Sequence, residues 1–214
     1  MPVATKICGL STPEDVQAAV EGGAAYVGFV FFTKSPRNLA PAQAAELARP
    51  ARAAGVKAVA VTVEASDAEL DAIMATLAPE LIQLHGNETP ARVAGVRART
   101  GVGVIRALRV SEPADLEAAR AFEDVADQLM FDAKPSADAI LPGGNGAGFD
   151  ASILAGWTFA CPWFLAGGLE AGNVAAAVAA SGASRVDVSS GVERAPGVKD
   201  PALIRAFLEA VRRA

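Results

Sequence analysis

Two apolar runs of the sequence end in side chains that can carry a proton. The run TKICG near the N-terminus contains Cys8, and the run QLMFDAKP contains Asp132. Because side chains alternate between the two faces of a strand, Asp132 shares a face with Met130, and Cys8 shares one with Lys6. A carboxylate at the end of an apolar strand is costly unless it is paired or functional. Cys8 and Asp132 are therefore the first candidates for acid and base chemistry.

Each of these two residues also has a purely structural interpretation. Cys8 could be a small apolar filler, since cysteine is among the most buried residue types. To act as a base it must be a thiolate, and Lys6 on the same face could lower its pKa from about 8.5. Asp132 could form a salt bridge with Lys134 or another cation. To act as an acid it must keep its proton near neutral pH, which apolar surroundings or a nearby negative charge favour.

Eight β-rich runs alternate with eight segments of helical spacing along the chain. The strands are predicted at 5–9, 26–31, 56–63, 81–86, 103–110, 128–133, 162–168 and 185–191. The helices are predicted at 12–22, 41–54, 66–78, 89–100, 112–123, 150–156, 170–181 and 200–213. This alternation implies a parallel sheet, and eight such units fit a single-domain (β/α)8 TIM barrel over residues 1–214. A doubly wound open sheet is the alternative, but it usually has a glycine-rich first turn, whereas here the turn reads CGLSTPED.

Composition and charge limit the classes of function. The 52% hydrophobic and 20% charged residues describe an ordinary soluble globular protein. A net charge of −5 argues against nucleic acids and membrane surfaces as partners, because both need a basic face. The two cysteines, Cys8 and Cys161, fit neither a disulfide framework nor a zinc site. With no apolar stretch of membrane-spanning length, a cytoplasmic protein is expected.

In a barrel of this kind the active site lies at the C-terminal ends of the strands. Three glycine-rich turns fall late in the chain: GGNGAGFD, AGGLEAGN and SSGVE. Backbone N–H groups that approach closely, together with a helix dipole, can hold a dianion there, so the turns predict a phosphate site. The alternative is that the glycines only make tight turns. The polar and glycine residues placed at this face are Cys8, His85, Asp132, Gly167, Gly168, Ser189 and Ser190.

Four further charged or titratable residues have open roles. His85, the only histidine, could be a hydrogen-bonded structural group or line the site. Arg37, in the loop TKSPRN, could grip a substrate carboxylate bidentately or be a solvated loop charge. Lys6 could form a Schiff base with a carbonyl substrate, but it lies deeper than the strand end. Asp187 is expected to be a polar residue of the barrel interior.

Taken together, the motifs resemble the phosphoribosylanthranilate isomerase family of tryptophan biosynthesis. The motifs are KICGL, GFVF followed by KSPR, QLHG, FDAK, GGNGAGFD, LAGGL, VDVSSGVE and PGVKD, over residues 6–200. The resemblance implies catalytic roles for Cys8 and Asp132, a carboxylate-binding role for Arg37 and a site-lining role for His85. It also implies phosphate-binding roles for Gly146, Gly167, Gly168, Ser189 and Ser190.

The reaction implied by the resemblance is an Amadori rearrangement of N-(5'-phosphoribosyl)anthranilate to 1-(2-carboxyphenylamino)-1-deoxyribulose 5-phosphate. An acid, assigned to Asp132, protonates the furanose oxygen and opens the ring to a Schiff base; a base, assigned to Cys8, then removes the proton from C2. No metal or organic cofactor is expected, because the substrate nitrogen serves as the electron sink. The expected partner is this small phosphorylated aminosugar, and the protein is expected to be a monomer or a homodimer.

Three positions depart from the usual pattern of that family, namely Asn145 in the GGxG turn, Ala151 after FD, and Glu64 in VTVE. With Glu64 at this position, whether the segment after the third strand contacts the substrate is an open question. Two other functions also stay open. The first is a phosphosugar epimerase, or an isomerase that accepts a second aminoaldose. The latter usually has two carboxylates at the reacting strand ends, whereas strand 1 here ends in Cys8. A catalytically silent phosphosugar-binding barrel is the second, and it would have lost the acid or the base.

Overall fold

The computed structural model of the protein describes residues 2–133 and 150–214. Eight parallel strands close into a barrel in sequence order, and the eighth strand pairs with the first. They are β1 Ala4–Cys8, β2 Tyr26–Phe31, β3 Lys57–Thr62, β4 Leu81–Leu84, β5 Gly103–Val110, β6 Gln128–Ala133, β7 Trp163–Leu165 and β8 Arg185–Val188. The predicted (β/α)8 barrel is confirmed. The open doubly wound sheet is wrong, because its edge strands would remain unpaired.

Seven α-helices lie among the described residues, outside the barrel. They are α1 Pro13–Glu21, α2 Pro41–Ala53, α3 Asp67–Thr76, α4 Pro90–Thr100, α5 Pro113–Ala119, α6 Val174–Ser181 and α7 Pro201–Arg212. The sequence STPED shows why α1 begins where it does. The side chain of Thr12 accepts a hydrogen bond from the backbone N–H of Asp15, and Pro13 occupies the first turn, where its missing N–H costs nothing.

The α-helix predicted at 150–156 is wrong. This segment forms only a short 3₁₀ helix, Ala151–Leu154. Ala155 turns to an extended conformation and Gly156 has a φ of 77°, so the chain leaves the helix after one turn. A hairpin of two short strands, β9 Glu193–Ala195 and β10 Val198–Lys199, was not predicted either, since its strands are too short to show a period.

The alternation of side chains along the strands separates an inner core from an outer one. Outward-facing residues pack against the helices, while the inward-facing ones fill the barrel. The inward apolar set is Cys8, Tyr26, Val30, Val59, Val61, Leu81, Ile105, Ala107, Met130, Phe164 and Ala166. The side chain of Cys8, at the C-terminal end of β1, therefore points into the barrel.

A buried ion pair lies within the barrel beneath Cys8. Lys6 and Asp187 face each other in register on β1 and β8, with 2.8 Å between Nζ and Oδ1, and Lys6 is 0% exposed. Burial acts to lower the pKa of Lys6, but Asp187 and Cys8 outweigh it and the pKa is raised. The side chain therefore stays an ammonium group. A Schiff base needs a neutral amine, so this role for Lys6 is set aside, and Asp187 is the interior residue that was expected.

Breaking this pair should destabilise the barrel strongly. Lys6→Met leaves the Asp187 carboxylate buried and unpaired, which typically costs about 3–5 kcal/mol. The measurement is the free energy of unfolding from urea denaturation. The matched double variant, Lys6→Met with Asp187→Leu, should recover most of that loss because no buried charge remains. A single-variant loss below about 1 kcal/mol would contradict the account.

Candidate active site

Polar side chains gather at the C-terminal mouth of the barrel, as the sequence predicts. Cys8 ends β1 and Asp132 lies near the end of β6, two residues beyond the inward-facing Met130. His85 follows β4 directly, two residues beyond Gln83. All three therefore face the same space. Cys8 is 6% exposed and Asp132 is 5% exposed, so both groups are largely removed from bulk water.

Asp132 and His85 face each other at the mouth. Nε2 of His85 lies 3.1 Å from Oδ2 of Asp132. The two atoms are close, but their geometry is not that of a hydrogen bond. Oδ1 of Asp132 accepts a hydrogen bond of 2.9 Å from the backbone N–H of Ala133. Strand β5 lies between β4 and β6, and the small inward-facing Ala107 on it leaves room for the two side chains to meet.

Gln83 fixes the ring of His85 from below. Its Nε2 lies 3.1 Å from Nδ1 of His85 and 3.4 Å from Sδ of Met130. The side-chain amide nitrogen of Gln83 can only donate, so Nδ1 of His85 is the acceptor. The ring proton of the neutral imidazole then lies on Nε2, which faces Asp132. Gln83 thus directs Nε2 of His85 towards the carboxylate of Asp132.

The burial of Cys8 favours its neutral thiol form. Burial raises the pKa of Cys8, and Lys6 acts in the opposite direction without overcoming it. The expectation that Lys6 favours the thiolate has the right sign but is outweighed. Gly28 on β2 makes the space for this arrangement, because a Cβ there would lie 3.1 Å from both Sγ of Cys8 and Nζ of Lys6.

Arg37 is buried at the mouth next to the hairpin β9–β10. Its Nε donates to Oε1 of Glu193 at 2.6 Å, and its Nη2 donates to Oε2 at 2.8 Å. Arg37 is 5% exposed, so the solvated-charge interpretation is wrong. The bidentate geometry expected toward a substrate is formed here with Glu193, a residue that the sequence reasoning missed. Gly9, with a φ of 76°, allows the side chain of Arg37 to pack against the backbone.

Lys199 ties the same hairpin to the barrel. Its Nζ lies 2.7 Å from Oε1 of Glu193 and 2.9 Å from the carbonyl oxygen of Ser189. The hydroxyl of Ser189 in turn donates to the carbonyl oxygen of Cys8 at 3.2 Å. The Ser189 side chain is thus engaged in linking β8 to β1. A phosphate contact by Ser189 would have to come from its backbone.

The predicted phosphate loops after β7 and β8 lie against each other. Gly167 and Gly168 have φ values of 90° and 65°, which side chains rarely adopt. A Cβ on Gly191 would collide with the carbonyl oxygen of Leu169, so only glycine allows the two loops to touch. Within 150–214 and 2–133, no residue accepts a hydrogen bond from the N–H of Gly168 or Ser190. Gly146, Asn145 and Lys134 lie outside the described residues.

Two departures from the family pattern have a structural account. Glu64 has a φ of 51°, and its Oε1 accepts hydrogen bonds from the backbone N–H and the side-chain amide of Asn87, at 3.3 and 3.1 Å. Its carboxylate therefore holds the loop after β4. Ala151 opens the 3₁₀ helix and packs partly buried against the outer core.

Arg109 is a residue of the mouth that the sequence reasoning missed. It is paired in register with Asp132 on the adjacent strand, and it lies two residues beyond the inward-facing Ala107. Its side chain therefore points into the mouth. The alternation within GVIRALRV was the available signal.

The comparisons with known proteins agree with this geometry. The family model described as N-(5'phosphoribosyl)anthranilate (PRA) isomerase matches residues 5–210. The chain belongs to this family. It is 61% identical to the N-(5'-phosphoribosyl)anthranilate isomerase of Caulobacter vibrioides, over 98% of this chain and 95% of that one. It is 54% identical to that of Rhodospirillum centenum, over 97% of each chain.

Solved structures of the family have the same fold. The phosphoribosyl anthranilate isomerase from Thermotoga maritima has a TM-score of 0.88 and 31% identity, over 99% of this chain and 100% of that one. A phosphoribosyl anthranilate isomerase solved in complex with reduced 1-(o-carboxyphenylamino)-1-deoxyribulose 5-phosphate has a TM-score of 0.84 and 30% identity, over 99% of this chain and 100% of that one.

The enzyme thus isomerises N-(5'-phosphoribosyl)anthranilate to 1-(2-carboxyphenylamino)-1-deoxyribulose 5-phosphate in tryptophan biosynthesis. The predicted isomerase function is confirmed, and the epimerase and the silent binding barrel are set aside.

None of the helices in the described part of the chain is both long enough and apolar enough to cross a membrane.

Proposed function

We propose that Asp132 is the general acid and Cys8 the general base of this isomerisation. The observation that carries the proposal is that both residues face one mouth, from β1 and β6, with Asp132 in contact with His85. Asp132 gives its proton to the furanose oxygen, the bond from that oxygen to C1 breaks, and the nitrogen lone pair forms the C1=N bond. Cys8 then takes the proton from C2, and the enolamine formed tautomerises to the ketone.

The resting state of Cys8 fits this order of steps. Burial keeps it a neutral thiol before the substrate arrives. Ring opening places a protonated Schiff base, a cation, close to the C2 carbon. A nearby positive charge favours the thiolate, so we propose that Cys8 then releases its thiol proton to water and becomes the base that takes the C2 proton. His85 lines the site, with its Nε2 3.1 Å from Oδ2 of Asp132.

The two ends of the substrate are anions, and we propose one anchor for each. The phosphate binds to the backbone of Gly167, Gly168, Ser189 and Ser190, and we also assign Gly146 to this site. Support comes from the positive φ values and from the N–H groups of Gly168 and Ser190 that no described residue uses. Arg37, held in place by Glu193, contacts the anthranilate carboxylate. Anchored ends orient the reacting carbons between acid and base.

A charge placed in the phosphate site tests this placement. Ser190→Asp puts a carboxylate where the dianion binds, and repulsion should raise KM at least about tenfold, or about 1.4 kcal/mol. The measurement is initial-rate kinetics with competitive inhibition by inorganic phosphate, whose KI should rise in parallel. The matched control is Ser184→Asp, the same change at the exposed, opposite end of β8. Equal KM values for both variants would refute the phosphate site.

We further propose that the enzyme works in the cytoplasm as a single barrel domain, either as a monomer or as a homodimer. The free cysteines Cys8 and Cys161 fit a reducing compartment. A Thermotoga maritima relative that is 30% identical is described as a dimeric phosphoribosylanthranilate isomerase from which monomers were generated. Sedimentation of the purified protein distinguishes the two states.

A further inference from the structure

Arg109 stands at the mouth without a carboxylate partner among the described residues. Its Nη1 makes a single long hydrogen bond of 3.3 Å, to Oδ1 of Asn87. Its Nε is buried, and no residue within 2–133 or 150–214 accepts a hydrogen bond from it. A guanidinium group offers five N–H donors in a planar fork suited to a carboxylate, and a buried unpaired donor is costly. The geometry therefore suits an anion that arrives with a ligand.

The contrast with the neighbouring arginine on β5 supports this interpretation. Arg106 faces outward, where its Nη1 lies 2.8 Å from Oε2 of the buried Glu88 and its guanidinium stacks on Phe122. Nε has no hydrogen-bond partner among the described residues in either arginine, but Arg106 already has a carboxylate partner within the fold. Arg109 lies on the opposite face of the same strand. Among the described residues its guanidinium bonds only to the side-chain oxygen of Asn87, whose amide nitrogen donates to Glu64.

The position of Arg109 matches one group of the substrate. Arg109 and Asp132 are direct neighbours in register on β5 and β6. If Asp132 protonates the furanose oxygen, the substrate C1 and its nitrogen must lie close to Asp132. The anthranilate carboxylate is ortho to that nitrogen, so it lies within reach of a long side chain beside the acid.

We propose that Arg109 is a second arginine that binds the anthranilate carboxylate and thereby selects substrates that carry it. The inference rests on the proposed placement of the reacting carbons next to Asp132. A carboxylate has two oxygens and can accept hydrogen bonds from two guanidinium groups, so this role is compatible with that of Arg37. Glu64 and Asn87 then act as positioning residues, which gives the departure at Glu64 a function.

The test compares two inhibitors that differ by the carboxylate alone. They are the reduced product analogue and its counterpart with a phenyl ring in place of the carboxyphenyl ring. Wild-type enzyme should prefer the carboxylated analogue, and Arg109→Met should reduce that preference at least about tenfold, or about 1.4 kcal/mol. Arg109→Lys should restore part of it. The KI of the phenyl analogue should stay within about twofold.

The control is Arg97→Met, which removes an exposed arginine of α4 that pairs with Asp127 on the protein surface. It should leave both KI values unchanged. An equal weakening of both inhibitors by Arg109→Met would mean a purely structural role and would overturn the proposal, as would an unchanged preference. Turnover by the wild type and by Asp132 variants is measured separately, so a failure of the acid assignment is recognised independently of this result.

Discussion

Replacing Asp132 by asparagine should lower kcat by about 10²–10⁴-fold, the usual contribution of a general acid or base. The amide has nearly the same shape, and its oxygen can still accept the hydrogen bond from the N–H of Ala133, so the loop should keep its conformation. It cannot give a proton to the furanose oxygen. Substrate binding rests on the phosphate and the carboxylate, so KM should change little.

The assay for Asp132→Asn is an NMR time course of aminoketose formation, because isomerisation leaves the mass unchanged. Binding of the reduced product analogue, measured by calorimetry, shows whether the site is intact. His85→Asn is the matched variant on the other side of the contact, and it should lose less rate because His85 touches the acid without donating to the substrate. A loss larger for His85→Asn than for Asp132→Asn would exchange the two roles.

Replacing Cys8 by serine should lower kcat by a similar factor, about 10²–10⁴-fold. A hydroxyl is a far weaker acid than a thiol, so serine supplies almost no anionic base at neutral pH. The similar size of the two side chains keeps the packing beside Gly28. Cys161→Ser, which changes the thiol before β7, should leave kcat near the wild-type value.

The protonation state of Cys8 is tested directly by titration. In the Cys161→Ser background, the ultraviolet absorbance of the thiolate should appear only above about 8.5, the ordinary pKa of a thiol, because burial raises the pKa of Cys8. The sign follows from desolvation, which disfavours the charged form. Absorbance that is already complete at neutral pH would show a resting thiolate, and a Cys8→Ser variant with wild-type kcat would exclude the residue as the base.

Part of this protein can be read from local patterns. The period of two in the runs GVIRALRV and QLMFDA, interrupted by helical segments with cap signals, determines the strands, the helices and the barrel. The same alternation places Cys8 and Asp132 on inward faces at strand ends. Neighbouring residues alone set the strands, the helix starts and the inward faces, because strand alternation and helix capping act over a few positions.

The local sequence pattern predicts less well the elements that contain only a few residues. The 3₁₀ helix Ala151–Leu154 and the hairpin β9–β10 are too short to show a period, and their conformation follows from what they pack against. The alternation of side chains places Arg109 on an inward face. Its place in a site is recognised only from the structure, in which no described carboxylate pairs with it.

The electrostatics of the site depended on the tertiary structure. Lys6 pairs with a residue 181 positions away, and Arg37 pairs with one 156 positions away. Such partners meet only when the eighth strand closes on the first, and no local pattern identifies them. The pKa of Cys8 depends on this closure too, because the depth of burial decides whether desolvation or the charge of Lys6 prevails. The sequence by itself determined which groups face the mouth, and the closed barrel decided which charges are paired and which remain for the substrate.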